Sequence, residues 1–128
     1  MPDTSFLDWP FFEKRHIGLK NEVDDFATGV VPPLIDHHDA DASCRRLVAA
    51  LGKSGLLRHA VTAPYGGKAE KFDVRSLCLI RESLSYADGL ADFAFAMQGL
   101  GSGPIVLFGT PQQNGCPRRR TMSSSRRD

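Results

Sequence analysis

Residues 36–41 read Asp-His-His-Asp-Ala-Asp, two histidines among three carboxylates. Those residue types can hold a divalent metal, and a metal there could activate water or polarise a carbonyl. A metal site needs ligands that converge on one point and are held there by further hydrogen bonds. Adjacent residues in a polar connector point apart, so the stretch reads as a solvated loop between helices, and no metal ligand is assigned. Tyr65-Gly66-Gly67 could cradle a phosphate. It lacks the full Gly-Lys-Ser/Thr ending of a phosphate loop, and no apolar strand precedes it, so it reads as a turn. Glu82, beside Arg81, fits a helix-face or inter-helix ion pair better than a general base. His16 lies on an apolar helix face and reads as a satisfied core histidine. Phe93 and Met97 read as core residues rather than cofactor contacts. The residues by themselves therefore supply no catalytic, cofactor-binding or metal set.

The elements that would position these groups are all helical. Phe12, Leu19, Val23, Phe26 and Val30 recur at helical spacing and predict a first helix over Pro10 to Val31, capped by Asp8 and ended by Pro32-Pro33. Ser43 or Asp41 can cap a second helix through Leu51, with Gly52 as its C-cap residue. A third helix is expected from Asp73, its N-cap, to Ala87. Its stripe is Val74, Leu77, Ile80, Leu84 and Ala87, widened by Cys78 and Leu79, as suits a central helix touched on more than one side. A fourth segment, Leu90 to Leu100, stops at Gly101-Ser102-Gly103, and a short apolar helix runs from Pro104 to Gly109. Thr110-Pro111 then signals another helix start, but Asn114, Gly115 and Pro117 follow at once. The fold class is an all-α helical bundle. The organisation is an N-terminal extension over 1–9, a helical domain over 10–113 and a disordered basic tail over 114–128.

Composition sets the bounds. The chain has 128 residues, 41% hydrophobic and 24% charged, enough for one domain with a real core. A net charge of +1 argues against a polyanion-binding protein, although the tail from Arg118 to Arg127 holds five arginines and no acid. Nucleic-acid binding by that tail is not expected, because disorder without function explains its composition. Cys44, Cys78 and Cys116 form neither a disulfide framework nor a zinc pattern; Cys44 and Cys78 are expected to be buried thiols in a reducing compartment. No apolar run approaches the roughly 18 residues of a membrane span. The acids near the N-terminus do not suit a signal peptide, so a cytoplasmic location is expected.

The order of the pieces is more specific than any one of them. "LVAALGKSGLLRHAVTAPYGG", followed by "LIRESLSYADGLADFAFAMQGLGSGPIVLFGTPQQ", resembles the N-terminal helical domain of the acyl-CoA dehydrogenases. The resemblance is carried by Leu51, Gly52, Gly55 and Leu56 in a leucine-rich turn and by the Pro64-Tyr65-Gly66-Gly67 loop. Glu82 and Leu84 continue it in an EELA-like segment. Gly101, Pro104, Ile105, Phe108, Gly109 and Gln113 complete it in an "LG-PI--FG-EEQ"-like ending. It covers about Phe11 to Gln113. Ala63 and Lys53 stand where the family usually has acids, and Tyr86 where it has a small residue.

The resemblance implies a chain related to enzymes that oxidise acyl-CoA thioesters to trans-2-enoyl-CoA with FAD as hydride acceptor. In that family a β-domain and a C-terminal helical domain, both beyond the matching segment, supply the flavin site and the catalytic glutamate. An isolated chain of this kind is expected to be inactive and to retain no flavin. By the same resemblance Asp92, Ala96 and Leu100 line the acyl end of the substrate pocket, four residues apart on one helix face. Ala96 leaves room for a chain. Asp92 is an awkward neighbour for an alkyl tail, so either a plain long-chain substrate is disfavoured or Asp92 sits outside the pocket. The departure after Gln113 implies a frame disruption or a gene-structure error at that join. The alternative reading is a non-enzymatic helical interaction module with a basic tail. With only the helical layer present, self-association through exposed apolar surface is expected.

Overall fold

The computed structural model describes residues 3–114. The tail beyond residue 114, with Cys116 and the arginine-rich segment, lies outside the described residues. Four α-helices form the bundle: α1 (Lys14–Gly29), α2 (Ala40–Ser54), α3 (Val74–Ala87) and α4 (Gly89–Phe108). Short 3₁₀ turns join them, and no β-strand occurs among the described residues. The all-α expectation holds.

The first helix starts later than its apolar spacing predicts. Trp9 is held extended by Pro10, which disfavours helical geometry in the residue before it. The aromatic residues of this stretch pack on one another instead, with Phe12 edge-on to Phe6 and to His16 at 5.7 Å. Glu13, not Asp8, caps α1. Its carbonyl accepts from His16 N at 2.8 Å, while its own N–H donates to His16 Nδ1 at 2.9 Å. This reciprocal pair satisfies two of the donors that a helix start leaves open.

In α2 the cap is Asp39, which accepts from Ala42 N at 3.0 Å. Asp41 lies inside the first turn, and Ser43 is buried, bonded instead to the Asp36 backbone. The helix runs through Gly52 and ends at Gly55, whose φ of +83° only glycine adopts without strain. The buried Leu56 and Leu57 follow directly and fix where the chain must turn inward.

The third helix runs as expected after Asp73, but its buried face is Ser76, Leu79, Ile80, Ser83 and Leu84. Val74 is exposed in the first turn and Cys78 faces solvent, so the wide apolar stripe overstates what the bundle covers. Cys44 is only half-buried. The two thiols therefore depart from the expected burial, because the helix faces that carry them point past the core.

The interruption expected at Gly101-Ser102-Gly103 does not occur; α4 is one 20-residue helix with Pro104 inside it. Two glycines and an interior proline together cost an isolated helix several kcal/mol, about 3 of them from the proline. Tertiary attachment offsets part of this. Ser102 Oγ donates either to Gln98 O at 2.8 Å or to Ala60 O at 3.1 Å, so it can tie this part of the helix to the 3₁₀ turn Leu56–Ala60. Because it is continuous, α4 is long and apolar enough to cross a membrane by length and composition, with a mean hydropathy of 1.2. Its Ala91, Ala94 and Phe95 lie in the bundle core.

α1 packs chiefly on α3, α3 on α4, and α4 on α2. The core at their junction includes Val23, Leu47, Leu51, Ile80, Leu84 and Phe95. After α4, Thr110 and Gln113 form a second reciprocal cap, with Thr110 N donating to Gln113 Oε1 at 2.9 Å and Gln113 N to Thr110 Oγ1 at 3.3 Å. The helix start signalled by Thr110-Pro111 is thus real over residues 111–114.

Candidate functional site

One edge of α4 carries the three residues assigned to the substrate pocket. Asp92, in the first turn, meets Arg81 of α3 in a two-pronged pair, both N–H···O distances being 2.8 Å. That bond, with the carboxylate's charge, raises the Arg81 guanidinium above its ordinary value. The carboxylate is thereby occupied from the α3 side. Ala96 is half-buried and Leu100 is 68% exposed.

Beside this edge runs an uncovered apolar stripe. Phe93 is 55% exposed, Met97 is also exposed, and Leu107 and the 88% exposed Phe108 extend the row toward the C-terminal end. Phe93 and Met97 are therefore not core residues. The helix buries only its Ala91, Ala94 and Phe95 side, because α2 and α3 reach it from that side alone.

The polar residues singled out from the sequence take structural roles. His16 is fully buried. Its Nδ1 accepts from Glu13 N, which leaves Nε2 to donate to Asp73 Oδ2 at 3.0 Å. Asp73 also accepts from Ser76 Oγ at 2.9 Å and pairs with Arg15 and Arg75. Burial alone would raise the Asp73 carboxyl, but the bonds from His16, Ser76 and Arg75, with the Arg15 charge, hold it far below the usual carboxylate range. Glu82 forms the expected inter-helix ion pair. Its Oε2 lies 3.1 Å from Lys20 Nζ, within ion-pair distance but without hydrogen-bond alignment. Lys20 donates properly to both oxygens of Asp24, at 2.7 and 2.9 Å. The sequence gives no warning that Lys20 is 1% exposed, its stem packed in the core and its ammonium reaching two half-open acids.

His37 is exposed and lies 3.4 Å from Asp88 Oδ2, and Asp36 and Asp39 serve the turn and the α2 cap. No cluster of three or more metal-ligating side chains occurs among the described residues. Gly66, at φ +97°, and the buried Gly67 close a tight loop in which a Cβ on Gly67 would strike the Val61 carbonyl. The glycine pair is accounted for by this turn.

His59 is a group that sequence reasoning passes over. Its Nε2 is buried and has no hydrogen-bond partner among the described residues. His59 is also one of the residues lining a cavity of about 520 Å³ between α1 and the start of α3. Burial, and after it the Lys68 charge, push the imidazole below its ordinary value of 6.5. The folded chain thus resists a proton that the unfolded chain accepts. The stability tied to this group is complete above about pH 6.5 and is lost as the pH falls through the lower folded value. The urea midpoint is expected to drop between about pH 7 and pH 5. His59→Gln should flatten that part of the profile; an equal drop in the variant would assign the dependence to other groups.

A family model described as acyl-CoA dehydrogenase, N-terminal domain, matches residues 13–115, starting at the residue that caps α1. The chain belongs to the acyl-CoA dehydrogenase family. It is also 33% identical over 113 residues to a protein of Bacillus subtilis (strain 168) described as a "probable acyl-CoA dehydrogenase". That alignment covers 87% of this chain and 18% of the relative, so the chain spans less than a fifth of that relative's length. The flavin that serves this family does not suit the cavity beside His59. Its walls are charged or small side chains with Leu19 and the His59 imidazole, and they include no Phe, Tyr or Trp ring to stack on an isoalloxazine.

Proposed function

We propose that this chain is the N-terminal helical layer of an FAD-dependent enzyme that oxidises acyl-CoA thioesters between the α and β carbons. In this reading α4 forms one wall of the acyl-chain cavity, with Asp92, Ala96 and Leu100 toward its acyl end. The observation that carries the proposal is the uncovered stripe of Phe93, Met97 and Leu100, in a chain that matches only a small part of its relative. An alkyl chain against such a face gains about 0.8 kcal/mol per buried methylene. Ala96 leaves space beside it. Arg81 occupies the Asp92 carboxylate, so this edge of the wall does not present a bare charge to the tail.

The flavin site and the carboxylate that removes the α-proton belong, in this reading, to further domains of the family's enzymes. The 128-residue chain then neither holds FAD nor oxidises acyl-CoA, and its open face is satisfied by self-association. The purified chain is expected to be colourless and to reduce no dye acceptor when given an acyl-CoA. Flavin absorbance at a stoichiometric level, retained through size exclusion, would overturn this account.

A further inference from the structure

The outer face of α4 is followed in the chain by a block of positive charge. Phe93, Met97, Leu100, Pro104, Leu107 and Phe108 recur every few residues on that face, and all six are exposed. From Phe93 to Pro117 the sequence holds no charged residue, whereas positions 118–127 hold five arginines and no acid. We propose that this face docks on an anionic lipid bilayer, with α4 lying in the plane of the surface and the arginines meeting the lipid headgroups. Such docking requires only the exposed stripe and the arginines, not an acyl-CoA site.

An interfacial helix sinks its apolar face about 5–10 Å into the boundary between headgroups and acyl chains, and basic residues next to it add attraction to anionic lipid. The outer face of α4 has no charge of its own to desolvate. Asp92, in its first turn, is held by Arg81 through two bonds of 2.8 Å. The Ser102 hydroxyl is bonded within the protein, to Gln98 O or Ala60 O. The helix is long enough to cross a bilayer, but Ala91, Ala94 and Phe95 tie its other side to the bundle core. Lying on the surface keeps that packing and still covers the stripe. The arginines belong to the same end. Arg118 follows Phe108 by ten residues, which span at most about 35 Å, so it reaches the surface on which Phe108 rests. A second chain on the stripe covers only its apolar area; an anionic bilayer also matches the arginines in sign.

The test is flotation of the full 128-residue chain with vesicles of phosphatidylcholine and phosphatidylserine, against vesicles of phosphatidylcholine alone. Flotation separates lipid-bound chain from chain associated only with itself, which does not rise. The chain is expected to float with the anionic vesicles and to bind the neutral ones more than about a hundredfold more weakly. Replacing Arg118, Arg119 and Arg120 together by Gln should weaken anionic binding about a hundredfold. Phe108→Glu should weaken it about thirtyfold or more, through lost apolar burial and an added like charge. Phe108 is 88% exposed, so this variant is expected to fold. Leu107→Glu, at a 60% exposed position on the same end, gives a second reading should Phe108→Glu alter the thermal midpoint. Equal flotation with neutral vesicles, binding unchanged in the folded glutamate variant, or no flotation at all would overturn the proposal.

Discussion

Ile80→Asp should leave the chain without a cooperative unfolding transition. Ile80 is 0% exposed and belongs to the cluster that joins α1, α2, α3 and α4. α3 packs on α1, on α4 and on the 3₁₀ turn Leu56–Ala60. The substitution forfeits about 2–3 kcal/mol of apolar burial. It also places a carboxylate where it must find a partner, take up a proton or open the structure, at a further cost of several kcal/mol. A domain of this size is stable by only about 5–15 kcal/mol in total. Circular dichroism on heating is therefore expected to show a broad, non-cooperative loss of signal. Ile80→Val, which removes one methylene, should cost only about 1 kcal/mol and keep the sharp transition. A sharp Ile80→Asp transition close to the parent midpoint would mean that the new carboxylate reaches water and that α3 is not the central helix.

The parts of this fold that were legible in the sequence are those set by local periodicity. Leu19, Val23 and Phe26 on α1, and Ile80 and Leu84 on α3, are spaced for one helix face, and the structure buries all five. His16 was readable as a satisfied core group because it shares the face with Leu19 and Val23. What could not be read depends on which segment arrives opposite. Asp36 and Asp39 precede α2 and Asp41 lies in its first turn; Asp39 is the one that caps the helix, while Ser43 bonds the Asp36 backbone. Lys20 looks like a solvent residue until α3 brings Glu82 beside it. Gly101-Ser102-Gly103-Pro104 carries every local sign of a break, but attachment at Ser102 and the apolar residues on both sides keep the helix going.

The candidate site divides in the same way. The placement of Asp92, Ala96 and Leu100 along one helix edge follows from their spacing. That Arg81 would take up the Asp92 carboxylate does not, since it needs the register between α3 and α4. The cavity beside His59 had no sequence signal beyond a histidine within the Leu56–Ala60 turn. It exists because the loop through Gly67 folds back, with Lys68 N donating to Arg58 O at 3.1 Å, and so carries Lys68 to the same side as α1.

The stripe on α4 gives the second large expectation: the isolated chain should associate with itself, and Phe93→Glu with Leu100→Glu should abolish that association. Phe93, Met97, Leu100, Pro104 and Leu107 recur every three or four residues, so they form one continuous face about 20 Å long. The row exposes on the order of 500 Å² of apolar surface per chain, at the upper range of what a soluble monomer leaves uncovered. Pairing two such faces yields roughly 25 kcal/mol of gross apolar burial at about 25 cal/mol per Å². Lost rigid-body freedom costs about 4–15 kcal/mol of this, and side-chain ordering takes more, leaving a dissociation constant in about the micromolar range. A net charge of +1 supplies little repulsion. Both substituted residues are already more than half exposed, so the variant's thermal midpoint should stay near the parent's, as is usual for surface positions. Four like charges facing one another across the pair would raise the dissociation constant beyond about a hundredfold, since each lost aromatic or leucine contact and each repulsive pair contributes at least about 1 kcal/mol. Light scattering after size exclusion, at several concentrations, reads both results. A parent chain that stays monomeric at all of them and binds no hydrophobic dye would mean that the stripe is closed by the chain itself. The reading of α4 as a wall awaiting an acyl chain and further domains would then lose its physical basis.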